Sequence, residues 1–82
     1  MSDKKDKLRK QVMNFIRSQP GYKQEKQEHL WLTFENETYI VRYGKDEMAG
    51  IMGFGKDIDL AFADFERSWK QLNGFEWIKK NQ

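Results

Sequence analysis

The stretch that most restricts the fold is residues 53–72, GFGKDIDLAFADFERSWKQL. Ile58, Ala61, Phe62, Phe65, Trp69 and Leu72 recur at the spacing of one helical face. At about 100° per residue they fill an arc of about 100°, wide enough to seal one side of a sheet. Asp57 stands where an N-cap belongs, and Asp59 adds negative charge at the positive end of the macrodipole. Gly53 and Gly55 read as the exit from a strand. A helix this one-sided needs a sheet to lie on.

The sheet is written in HLWLTF-ENE-TYIVRY, residues 29–43, whose two halves are rich in β-branched and aromatic residues. A two-residue loop at Asn36-Glu37 and a four-residue loop over residues 35–38 give the same register. Phe34 then opposes Tyr39, Leu32 opposes Val41 and Leu30 opposes Tyr43, so six apolar side chains share one face. The other face carries Trp31 opposite Arg42 and Thr33 opposite Ile40. Residues 48–54 (MAGIMGF) read as a third strand. Its facing stays open: either Met48, Met52 and Phe54 or Ala49 and Ile51 point inward.

Residues 3–18 read as a first helix, capped by Ser2 or Asp3, with Leu8, Val12, Phe15 and Ile16 as its apolar side. Pro20 and Gly21 stop it. Lys4, Lys5, Lys7, Arg9 and Lys10 crowd its first turns against the macrodipole, as a solvated end or as a basic contact surface for nucleic acid. Residues 22–28 read as a loop. Asn73-Gly74 ends the long helix. The tail beyond it, with Phe75, Trp77 and Ile78, is too apolar for a linker. It can be an edge strand, a lid over the open sheet face or a docking peptide.

The expected fold class is α+β: a two-layer sandwich, α-β-β-β-α, with a three-stranded antiparallel sheet and an apolar C-terminal tail. Residues 1–82 form a single small domain, frayed at 1–2 and 79–82. The chain has no cysteine, which excludes disulfides and sulfur-ligated metal and fits a reducing, cytoplasmic setting. No apolar run is long enough to span a membrane, and the polar start is no secretory signal. A net charge of +2 does not by itself announce nucleic acid.

Chemistry is sparse. His29 is the only histidine, with no second histidine or cysteine to build a metal site, and Glu28 beside it points to the opposite face of a strand. Gly53-Phe54-Gly55 before a helix superficially suggests a phosphate loop, but Asp57 and Asp59 at its mouth would repel phosphate. No enzyme, cofactor or metal is expected. Trp31 with Arg42 is the pair that stands out, an aromatic–guanidinium contact with the composition of an interface hot spot.

The α-β-β-β-α order and the run GFGKDIDLA resemble the double-stranded-RNA-binding domain, whose GxGxSKKxA turn leads from the third strand into the last helix. Gly53, Gly55 and Ala61 match and Asp57 takes the serine's place, but Ile58 and Asp59 stand where the family has its phosphate-gripping lysines. The resemblance implies the topology and not that route to RNA. GKDIDLAFADFERSW also resembles the strand-to-helix junction of HicB-like antitoxins, with Gly55, Asp57, Asp59 and Ala61 aligning over residues 38–72 and Leu60 departing. That likeness implies a small bacterial protein that binds a partner. HicA-like ribonuclease toxins share the element order and carry a strand histidine that His29 would imitate, without their glycine–serine–histidine context.

The expected function is a non-enzymatic protein-interaction or homodimerising module. It would use the open sheet face and tail: Trp31, Thr33, Ile40, Arg42 and Trp77. The alternatives are nucleic-acid binding through the basic first helix and Arg42, and the toxin.

Overall fold

The computed structural model describes residues 2–23, 29–44 and 50–80. In chain order the elements are α1 (Ser2–Arg17), β1 (Leu30–Glu35), β2 (Thr38–Tyr43), β3 (Ile51–Gly55), α2 (Ile58–Leu72) and α3 (Gly74–Lys80). The class is α+β, with one antiparallel sheet ordered β1-β2-β3.

The hairpin has the expected register, from Leu30 opposite Tyr43 to Glu35 opposite Thr38, and closes on the two-residue loop. Asn36 and Glu37 both take positive φ, 51° and 59°. That is the twist of a type I′ turn, which matches the right-handed twist of the flanking strands. Asparagine tolerates it; glutamate does not. Glu37→Gly is therefore expected to stabilise the domain by about 0.5–1 kcal/mol despite glycine's entropy, seen as a melting point a few degrees higher.

In β3 the pairs are Tyr39–Gly55, Val41–Gly53 and Tyr43–Ile51, with Ile40–Phe54 and Arg42–Met52 between them. Ile51 therefore points into the core and Met52 and Phe54 point out; Met48 and Ala49 lie outside the described residues. The inward places at 53 and 55 are glycines because α2 lies directly on them. A Cβ at Gly53 would sit 2.5 Å from the Phe65 amide nitrogen, and one at Gly55 would sit 2.2 Å from that of Ala61. The Gly-Phe-Gly run is a seat for a helix.

Asp57 caps α2 as expected, its carboxylate accepting from the Leu60 N–H at 2.9 Å. Ala61, Phe65 and Trp69 are buried, Ile58 and Phe62 partly so, while Leu72 at the end of the stripe is exposed. Asn73 in the left-handed region and Gly74 at φ 45° end the helix within a single step. The tail is neither strand nor lid. Residues from Gly74 coil into α3, because Phe75 and Ile78, one turn apart, can reach the core together. The helix runs through Lys80, past the point where fraying was expected.

α1 begins at Ser2, which places Asp3 inside the first turn. It buries Leu8, Val12, Met13 and Ile16 against Val41, Ile51, Phe65 and Trp69. Trp69 is the aromatic hub: Phe15, Tyr43, Phe65 and Phe75 lie around it with ring centroids 4.9–6.2 Å away. Both long helices thus cover the inner sheet face. They stop short of the hairpin tip, where Phe34 stays half-exposed against Tyr39, 4.6 Å between centroids.

Candidate functional site

Among the described residues no other element covers the outer face, and period-two alternation determines what it shows. Two cross-strand rows run over it: Trp31–Arg42–Met52 and Thr33–Ile40–Phe54. Trp31 is 38% exposed and Phe54 48% exposed, at opposite edges of the sheet, with Ile40 half-buried on the central strand and Met52 half-buried on the same edge as Phe54. The face is a shallow apolar platform carrying one cation near its middle.

That cation is held in place. The Arg42 guanidinium carbon lies 4.6 Å above the centre of the Trp31 ring. Such a contact is worth about 0.5–1 kcal/mol where exposed, and more once a partner excludes water from it. The indole also fixes the direction of the guanidinium fork, which suits a carboxylate or phosphate. His29 extends the same face past Trp31, its ring 6.1 Å from the indole. Glu35 closes it at the hairpin end.

The platform continues round the β3 edge into a groove between β3 and α2, lined by Phe54, Leu60, Ala63, Asp64 and Arg67. Leu60 is 55% exposed there. Asp64 forms an ion pair with Arg67 and also accepts from the Phe54 N–H at 2.9 Å. This carboxylate anchors the helix to the strand edge and holds the Phe54 backbone.

Of the residues expected to act together, Trp31, Thr33, Ile40 and Arg42 share the open face. Trp77 does not join them. It sits on α3 and packs against the core on the helix side, because the tail coils onto α2 and never crosses the sheet. The basic residues Lys4, Lys5, Lys7, Arg9 and Lys10 are all exposed, but on α1 in the helix layer. Arg42 faces the opposite way, so the combined surface of basic helix and Arg42 is split between two sides of the molecule. Met52 and Phe54 are the residues that sequence reasoning left unassigned. The signal was present: two glycines at alternate positions mark the side of a strand that a helix touches, so their neighbours must face away.

Among the described residues no cluster of three or more His, Asp or Glu side chains is arranged to hold a metal ion, and no helix is long and apolar enough to cross a membrane. Comparison with protein-family models, with curated proteins and with solved structures returns no match.

Proposed function

We propose that this chain is a small, non-enzymatic, cytosolic interaction module of antitoxin-like type, which holds a protein partner on its open sheet face. The observation that supports this reading is the platform itself. Trp31, Ile40, Met52 and Phe54 surround Arg42 on a face that, among the described residues, neither the two long helices nor α3 covers. Its central groups are rings, aliphatic chains and a guanidinium. They bind by burial and charge-assisted hydrogen bonds. The partner they fit is an apolar protein surface bearing a carboxylate opposite Arg42.

A photo-crosslinking phenylalanine analogue at position 54, installed in the chain's own cells, tests the reading against the same analogue at Lys70 on the far side of α2. A protein adduct is expected from position 54 alone. Trp31→Ala should weaken that binding by about 2 kcal/mol, roughly 30-fold, as for a central interface aromatic. The same substitution should change folding stability by less than about 1 kcal/mol, since the ring packs on the surface. No adduct at 54, or equal adducts at 54 and 70, would sink the proposal.

One observation favours a second reading. Trp31, Phe54 and Arg42 are also the groups on which single-stranded nucleic acid stacks. A nuclease-sensitive adduct whose yield falls steeply with salt would identify nucleic acid as the occupant.

A further inference from the structure

We infer that a second copy of this chain pairs with the β1 edge, antiparallel and across a two-fold axis, to make one six-stranded sheet. This goes beyond the platform reading and does not depend on it.

The backbone directions follow from two hydrogen bonds. The Phe54 N–H turns out of the sheet to Asp64, so Ile40 opposite it directs its own N–H and C=O toward β1. At the other end of the hairpin, the Gly44 N–H donates to the His29 carbonyl at 3.0 Å, which gives the same parity. Residues 29, 31, 33 and 35 therefore bond to β2. Leu30, Leu32 and Phe34 turn their N–H and C=O groups outward, and among the described residues these groups have no hydrogen-bond partner.

The two sheet edges are treated differently. On β3 the Asp64 carboxylate occupies an outward N–H and α2 stands alongside, devices that blunt an edge. β1 reads LWLTFE, without proline, lysine or bulge. An unbroken, largely apolar edge like this invites another strand.

The strand is complementary to itself. A two-fold axis through Leu32 sets Leu32 opposite Leu32 of the second copy and Leu30 opposite Phe34, so every outward group on the edge is bonded. The same register puts Trp31 beside Thr33 and His29 beside Glu35, each pair occurring twice. These are non-hydrogen-bonded positions, where side chains come closest. His29, Trp31, Thr33 and Glu35 all lie on the open face, so an imidazole meets a carboxylate at both ends of the seam. Two platforms then merge into one continuous surface.

Equilibrium sedimentation combined with amide exchange by NMR tests this. A reversible dimer is expected, in which the Leu32 and Phe34 amides gain protection as protein concentration rises. Phe34→Pro removes an outward N–H at a half-exposed position and should abolish the dimer while leaving the fold. His29→Glu places like charges opposite each other twice and should weaken the dimer about tenfold, and Glu35→Lys in the same chain should restore it. A protein that stays monomeric at every concentration overturns the inference. So does a dimer whose Leu32 and Phe34 amides exchange freely, or one that the double variant fails to restore. No partner enters these measurements, so their failure is distinct from failure of the platform.

Discussion

Alanine in place of Gly55 is expected to cost the domain about 3 kcal/mol or more, and valine there to leave no folded protein. The added Cβ would sit 2.2 Å from the Ala61 nitrogen and 2.6 Å from the Leu60 carbonyl carbon. These are backbone atoms, which cannot move aside as a flexible side chain would. Overpacking usually costs about 1–3 kcal/mol, and here relief requires lifting a helix that carries much of the core. A domain of this length has about 4–12 kcal/mol in total at ~0.05–0.15 kcal/mol per residue, so one methyl group removes much of it. Gly53→Ala should behave alike, with the Phe65 nitrogen at 2.5 Å. Neither glycine has positive φ, so the effect isolates space from conformational freedom. Urea unfolding with a midpoint within error of the natural chain would mean that helix and strand are not in contact there.

Trp69→Ala should cost about 3–5 kcal/mol and should do so unevenly. The buried indole supplies transfer free energy, and its loss leaves a cavity among Phe15, Tyr43, Phe65 and Phe75. It also roofs Gly74, whose Cβ would lie 2.3 Å from the ring. The seven residues of α3 are too few to persist as an isolated helix and hold their form through this contact and the burial of Ile78. Amide exchange in α3 should therefore quicken by more than global destabilisation accounts for. Uniform loss of protection across α2 and α3 would show that α3 is held by something else.

Sequence and structure agree where one physical rule acts alone. The hairpin register was readable because two strands independently put their apolar residues on one face, and a one-residue slip would expose all of them. The long helix was readable from its stripe and from the aspartate that caps it. β3 escaped because two rules conflict there. Its large apolar residues, Met52 and Phe54, point to solvent while its smallest ones point inward, since helix backbone fills the space that side chains usually fill. α3 escaped because seven residues carry too little periodicity to separate helix from strand, so Trp77 was assigned to the wrong layer. Phe34 kept the expected face but not the expected burial, since neither helix extends over the hairpin tip. For the candidate site, half the platform followed from the register of the first two strands. The other half waited on the third.

The close seating of α2 on β3 also bears on how quickly the chain finds its shape. Gly55 meets Ala61, Phe54 meets Asp64 and Gly53 meets Phe65, contacts that span only six to twelve residues of chain. Closing such short loops loses little entropy, whereas joining Phe15 of α1 to Phe65 of α2 must close one of about fifty residues. The last strand and the helix after it can therefore dock before the N-terminal helix arrives. The hairpin, equally local, then adds to an edge already formed. A chain emerging from the ribosome N-terminus first would hold α1 in waiting until residues near 65 are made, and the fold would assemble from its far end back toward its beginning.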